Sequence, residues 1–299
     1  MISGERIVKA GTVAVIGRAN AGKSTLVNVL VGEKVSIVSP KPQTTRDRIL
    51  GVLTTESYQI VFEDTPGIYK ADNALNAVMQ RTAERAAKDV DAVLLVIDAH
   101  AGLNEREKAL AEKYARGGTP LVVALSKTDI STEDTLVAAI RALSGIKAEI
   151  VPVSARKGTN VKELLKVLVS LLPEGEPLFN DVVSDKSERF MLGEIVREKI
   201  LLKFDKEIPH GVAVIIHTFK DKGGVAEVGA DIVCEKPNHK AILIGKQGSA
   251  LKEASSFARA DMEKFLGKKV FLTTYVRVKE DWRNRPVLIR EYGYGENDD

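Results

Sequence analysis

Gly17-Arg18-Ala19-Asn20-Ala21-Gly22-Lys23-Ser24 carries the spacing G-x-x-x-x-G-K-[ST] of a phosphate-binding loop. Its glycines let successive backbone N–H groups turn inward around phosphate oxygens, where side chains would collide. A lysine at the position of Lys23 reaches β- and γ-phosphates, and the hydroxyl of Ser24 can ligate Mg²⁺. Thr12–Ile16 just upstream is a β-branched apolar run that reads as a buried strand. Thr25–Val31 downstream reads as a helix, whose N-terminus adds partial positive charge at the loop.

Three further short motifs each follow an apolar run. Asp64-Thr65-Pro66-Gly67 comes after Tyr58–Phe62, offering an acid for Mg²⁺ and a glycine N–H for a γ-phosphate. Ser126-Lys127-Thr128-Asp129 comes after Leu121–Leu125. A carboxylate at Asp129 could accept the N1–H and N2–H donors of guanine, a pair that adenine lacks. Ser154-Ala155 opens the stretch Ser154–Gly158 after Glu149–Val153, and its backbone N–H groups could meet guanine O6. Each motif alone is weak. In this order, all at strand ends, they favour a guanine nucleotide over an ATP-dependent P-loop enzyme.

The elements that must position these residues alternate. Strand-like runs at Thr12–Ile16, Ile49–Leu53, Tyr58–Phe62, Ala92–Ile97, Leu121–Leu125 and Glu149–Val153 are separated by helical patterns at 22–31, 76–89, 104–116, 131–143 and 160–172. That alternation predicts an α/β domain with a doubly wound, mostly parallel sheet, and an antiparallel edge hairpin from the second and third runs. Leu172-Pro173-Glu174-Gly175-Glu176-Pro177 reads as a linker, so the domains are expected at 1–176 and 177–299.

Composition sets bounds. The 299 residues are 44% hydrophobic and 28% charged with a net charge of only +3, so a polyanion site must be a local patch. One cysteine, Cys234, excludes an internal disulfide, and the four histidines lack metal-ligand spacing. No apolar stretch is long enough for a transmembrane segment, and the first residues lack a signal peptide's apolar core, so a cytoplasmic protein is expected.

The second half changes character. Helical patterns at Ser187–Phe204 and Ser249–Leu266 and strand-like runs at Gly211–Phe219, Val225–Glu235 and Lys269–Lys279 predict an α+β module. Gly245-Lys246-Gln247-Gly248 fits the G-x-x-G loop of a KH domain, which clamps about four single-stranded nucleotides. Alone, G-x-x-G reads as a plain turn. Here it lies between Lys240–Ile244, read as a strand, and a long amphipathic helix. From Gly245 to Arg290 there are 11 Lys or Arg against 5 Asp or Glu, a basic surround for a phosphate clamp. Trp282, near Arg283 and Arg285, could stack on a base or cap the core.

Taken together the chain resembles the P-loop GTPases of the translation-factor-related class, most closely the bacterial Era family, over nearly its whole length. The resemblance implies a P-loop GTPase domain followed by a type II KH domain. It implies GTP or GDP bound with Mg²⁺ by Gly17 to Ser24 and Thr25, by Asp64, Thr65, Pro66, Gly67 and Ile68, and by Ser126, Lys127, Asp129, Ser154 and Ala155. Thr45, in Gln43-Thr44-Thr45-Arg46, looks like the switch threonine, so Ser24, Thr45 and Asp64 form the implied Mg²⁺ set and Lys23, Thr45 and Gly67 the implied catalytic set. The implied partners are 16S ribosomal RNA near its 3′ end, through Gly245–Gly248, and the small ribosomal subunit, whose maturation it would assist as a monomer. A constitutive RNA-binding assembly factor with a barely active nucleotide site is the alternative, and a peripheral membrane contact through the basic module is a further option.

Two departures from the family pattern stand out. Ser126 replaces an asparagine that ties the base loop to the P-loop, which predicts guanine-nucleotide binding weaker by about 1 kcal/mol. Ile68 follows the Asp-x-x-Gly motif where Ras-like enzymes carry a water-orienting glutamine, which predicts slow hydrolysis without a partner. Asn20 matches an asparagine that helps place K⁺ in some relatives.

Overall fold

The computed structural model describes residues 9–67 and 72–295, and its Cα packing divides the chain into two compact units. The first is Met1–Ser36, Thr45–Lys70 and Met79–Asp185; the second is Ile37–Thr44, Ala71–Val78 and Lys186–Asp299.

In chain order the elements before the linker are β1 (Lys9–Gly17), α1 (Lys23–Val31), β2 (Ile49–Thr54), β3 (Tyr58–Asp64), α2 (Ala74–Ala86), β4 (Ala92–Asp98), α3 (Glu105–Arg116), β5 (Leu121–Ser126), α4 (Glu133–Leu143), β6 (Glu149–Pro152) and α5 (Val161–Leu171). The strands form one sheet in the order β2-β3-β1-β4-β5-β6. Only β2–β3 is antiparallel, the expected edge hairpin. The strands are near-continuous apolar runs because both faces are covered. Val13 and Val15 point to one face, against Leu26 and Leu30 of α1 and Leu164 and Leu168 of α5. Ala14 and Ile16 point to the other, against Ala111 of α3 and Leu143 of α4. Asn104 and Glu107 form a capping box that fixes where α3 begins.

Past the linker the chain stays with the first unit until Asp185, later than the break read at 176. Gln59 explains why: its side-chain oxygen accepts the N–H groups of Leu178 and Phe179, and its Nε2 donates to the Phe179 carbonyl. Val52 N–H then donates to the Val183 carbonyl at 2.8 Å, so 178–185 covers the open edge of β2.

The second unit contains α6 (Glu188–Lys203), β7 (Ala213–Asp221), β8 (Val225–Cys234), α7 (Pro237–Ile244), α8 (Ser249–Leu266), β9 (Lys269–Val278) and α9 (Pro286–Glu291). Its sheet runs β7-β8-β9, with β7–β8 antiparallel and β8–β9 parallel. Leu192, Ile195 and Ile200 of α6 and Ala258 and Met262 of α8 pack on Val228, Ala230 and Ile232 of β8.

One expectation is corrected here, and one open alternative is decided. Lys240–Ile244 is helical, the end of α7. Pro237 sits in the first turn, where its missing N–H is harmless, and only one flank of the apolar run is buried: Leu243 is 1% exposed and Ile242 51%. Trp282 is a core residue and no base-stacking platform. It is 0% exposed, its Nε1 donates to the Gly211 carbonyl at 2.9 Å, and Tyr292 and Tyr294 pack on its ring.

Candidate functional site

β1, β3, β5 and β6 of the first unit all end at one edge of its sheet, the crevice where ligands of doubly wound sheets bind. Gly17 closes β1, and a Cβ there would lie 2.3 Å from the Val96 carbonyl oxygen, so no other residue fits. α1 starts at Lys23, whose Nζ donates to the carbonyl oxygens of Gly17 at 3.1 Å and Arg18 at 3.0 Å. Burial pulls the Lys23 pKa down to about 8, against the opposing pull of the Asp64 carboxylate.

Asp64 ends β3 and is 0% exposed. Burial raises its pKa, opposed by the charge of Lys23 and by the facing hydroxyls of Ser24 and Ser36. Yet neither carboxylate oxygen has a hydrogen bond of ordinary geometry to the protein. A buried carboxylate in that state calls for an ion or water. Ser24 Oγ lies 2.8 Å from Thr45 Oγ1, so two hydroxyls and one carboxylate form an all-oxygen set of the kind Mg²⁺ prefers. Thr65 Oγ1 donates to the Val15 carbonyl at 2.8 Å and pins the segment to β1. Pro66 is buried beside it, and a Cβ on Gly67 would lie 2.9 Å from the backbone of Ala19, so only glycine lets this segment approach the phosphate loop. Ile68 lies outside the described residues.

At the end of β5, Ser126 Oγ donates to the Ala21 carbonyl at 2.6 Å, with the Ile97 carbonyl at 3.1 Å. The base loop is therefore tied to the phosphate loop by a serine. Lys127 adopts φ +61° and its Nζ pairs with Asp98 Oδ2 at 2.6 Å. Ser154 Oγ donates to Asp129 Oδ1 at 2.6 Å, a bond that holds the exposed carboxyl below the usual range, helped by Arg156 and Lys157. Gly22, Thr25, Lys127, Asp129 and Ala155 line one pocket of about 230 Å³.

Some residues of this site carry no motif. Asn28, one turn after Ser24, accepts the N–H groups of Val35 and Ser36 and donates to the Ser36 carbonyl, and so sets the Ser36 hydroxyl against Asp64. Its one sequence signal is a lone amide inside the apolar run Thr25–Val31. Asp98, the acid that fixes Lys127, also accepts the N–H groups of His100 and Ala101.

In the second unit, Gly245–Gly248 joins α7 to α8 through a single tight turn. Gly245, Gln247 and Gly248 have φ of +73°, +50° and +78°. The side chains of Lys246 and Gln247 are exposed, and the free N-terminus of α8 lies directly behind them.

Residues 12–127 match the family model described as 50S ribosome-binding GTPase, and residues 207–283 match the KH domain model. The chain is 42% identical over 292 residues to GTPase Era of Clostridium kluyveri, covering 96% of this chain and 100% of that one. It is 41% identical to GTPase Era of Caldanaerobacter subterraneus subsp. tengcongensis over 96% of this chain and 98% of that one. Among solved structures, Era in complex with MgGDPNP and nucleotides 1506–1542 of 16S ribosomal RNA superposes with a TM-score of 0.92 at 39% identity, covering 97% of this chain and 100% of that one. An Aquifex aeolicus Era variant bound to GDP·AlF₄⁻ gives 0.91 at 38%, covering 96% and 100%.

Proposed function

Because the chain belongs to the GTPase Era family, we propose that it is a GTP-hydrolysing switch that binds 16S ribosomal RNA near its 3′ end and assists maturation of the small ribosomal subunit. The observation that carries this reading is the convergence of Ser126, Asp129 and Ala155 on one pocket beside the Lys23 loop, with the buried Ser154 hydroxyl holding the Asp129 carboxylate. Backbone N–H groups of the Gly17–Ser24 loop cradle the phosphates, and the Lys23 ammonium leaves its carbonyl partners to meet the β- and γ-oxygens. Asp129 accepts the guanine N1–H and N2–H donors, Ser154 and Lys127 hold the carboxylate and the loop around it, and the Ala155 N–H faces O6.

Ser24, Thr45 and Asp64 would hold Mg²⁺, which when bound neutralises charge on the phosphate oxygens. The reaction is in-line attack of water on the γ-phosphate, and the chain contributes position and charge stabilisation without a covalent nucleophile. With isoleucine at 68 no side chain there orients the water, so hydrolysis is slow until a partner supplies what is missing. K⁺ held beside Asn20 belongs to the same proposal, and equal rates in Na⁺ and K⁺ would dismiss it.

Gly245–Gly248 clamps the RNA backbone through its main chain and the start of α8. The protein acts as a cytoplasmic monomer in this reading. No helix among the described residues is long and apolar enough to cross a membrane, and any membrane contact is peripheral, through the basic surface, which vesicle flotation tests. In Mg²⁺, GTP should displace a fluorescent GDP far better than ATP does. Multiple-turnover phosphate release should vanish in Lys23→Ala. Equal competition by ATP would overturn the guanine assignment, and turnover surviving in Lys23→Ala would overturn the site.

A further inference from the structure

Residues 37–44, between α1 and β2, pack within the second unit, and α6 is what holds them. Arg197, in mid-helix, is 0% exposed. Its Nη2 donates to the Thr44 carbonyl, and Nη1 lies 3.4 Å from the Gln43 carbonyl. Glu194 fixes the guanidinium from one turn earlier, accepting from Nε at 2.7 Å and from Nη2 at 2.5 Å. Val38 N–H donates to Glu198 Oε1 at 2.9 Å, and Lys41 Nζ donates to the Phe204 carbonyl at the helix end. Gln43 Nε2 also donates to Asn76 Oδ1 at 3.1 Å, which brings the start of α2 into the same cluster.

A buried guanidinium is a poor choice for mere sealing. Burial works against its charge, and only the carboxylates of Glu194 and Glu198 and the nearby Tyr294 restore and exceed its usual basicity. What the planar fork does well is address two successive carbonyl oxygens in fixed geometry. The second of those carbonyls matters most. The Thr44 carbonyl and the Thr45 nitrogen are one planar peptide group, so holding the first orients the second. Thr45 is the residue whose hydroxyl lies 2.8 Å from Ser24 Oγ.

We propose that Arg197 is a positioning residue for Thr45, and that through it the grip of a bound triphosphate on Thr45 and the packing of α6 on residues 37–44 form one equilibrium. The inference rests on the reading of Thr45 as the switch threonine. Coupling of this kind is reciprocal: whatever loosens residues 37–44 from α6 weakens the triphosphate state, and a bound triphosphate steadies α6. A diphosphate lacks the group that draws on Thr45 and gains nothing from Arg197.

The test compares a non-hydrolysable GTP analogue with GDP, both in Mg²⁺. Arg197→Met should cut the ratio of analogue affinity to GDP affinity about tenfold, the scale of losing a charged hydrogen-bond donor. Arg197→Lys, one point charge for two carbonyls, should give an intermediate ratio. Hydrogen exchange then reads the coupling with the buried pair untouched: in the wild type the analogue should protect 188–203 more than GDP does, and Thr45→Ala should abolish that difference. An unchanged ratio in both Arg197 variants, or equal protection of 188–203 in the two nucleotide states of the wild type, overturns the proposal. Absence of Mg²⁺-dependent guanine-nucleotide binding in the wild type would instead overturn the underlying reading.

Discussion

Ser126 Oγ lies 2.6 Å from the Ala21 carbonyl oxygen, joining the base-reading loop to the phosphate loop across 105 residues of chain. The hydroxyl has one proton for two nearby acceptors, Ala21 and Ile97, whereas an asparagine amide has two. The serine therefore ties the two loops with one donor, where an asparagine amide would offer two. Removing it in Ser126→Ala leaves a buried carbonyl without its donor and should weaken GDP and GTP binding by about 1 kcal/mol, roughly fivefold. Ser126→Asn should tighten both by a similar or smaller factor. Titration with a fluorescent GDP measures either change, and equal affinities across serine, alanine and asparagine would show the tether to be idle.

The buried Trp282 invites a different experiment. Its Nε1 bond to the Gly211 carbonyl and its packing on Tyr292 and Tyr294 make it a stability residue of the second unit. Trp282→Phe strands a buried acceptor and should destabilise the protein by about 1–3 kcal/mol in denaturant melts. RNA affinity per folded molecule should stay within twofold of the wild type. A selective loss of RNA binding at unchanged stability would return Trp282 to a base-stacking role.

How far the sequence could be read depends on the separation of the interacting groups. The phosphate loop was legible because its spacing is enforced locally, by glycine conformations and by a lysine that folds back on Gly17 and Arg18. The central strands β1, β4 and β5 of the first sheet were legible because double-sided burial makes them near-continuous apolar runs. The end of α7 was misread because Ala241-Ile242-Leu243-Ile244 is too short for its period to show, and the decisive residue, Pro237, lies before the run. Arg197 was invisible for another reason: its partner Thr44 is 153 residues away, and a carbonyl oxygen leaves no trace in residue type. The same holds for Gln59, whose polar side chain in a buried strand serves chiefly the backbone at 178–179, about 120 residues away.

The G-x-x-G loop can be tested without disturbing its neighbours. Gly245 is a poor target, because a Cβ there would lie 2.6 Å from Ala250 Cβ. Lys246 and Gln247 are exposed, and aspartate tolerates the left-handed backbone at Gln247. Replacing both by aspartate sets two negative charges against an RNA backbone. Affinity for a 16S 3′-end RNA should fall at least tenfold, and the slope of log affinity against log salt should flatten by about one. Nucleotide affinity should not move. Unaltered RNA binding would place the clamp elsewhere on the second unit.

Lys23 makes nucleotide affinity depend on pH, and the sign follows from its surroundings. In the free protein burial holds its pKa at about 8, so it begins to lose its proton just above neutrality. Phosphate oxygens favour the ammonium and move that pKa back up on binding. Below pH 8 both states are protonated and affinity is flat. Above pH 8 the free protein is neutral at Lys23 while the complex is charged, so binding takes up a proton and affinity falls by up to tenfold per pH unit. Folding of the free protein responds oppositely: a lysine whose pKa is depressed below the unfolded value binds fewer protons when folded, so its contribution to stability rises between about 8 and 10.5. Titrations of GDP between pH 7.5 and 9.5, with calorimetry in two buffers of different ionisation heat, should show the falling affinity and the proton uptake. Lys23→Met should bind weakly at every pH and show neither. A flat profile in the wild type would mean that Lys23 stays charged throughout, and that Asp64 offsets its burial more fully than the carboxylate's own lack of hydrogen-bond partners suggests.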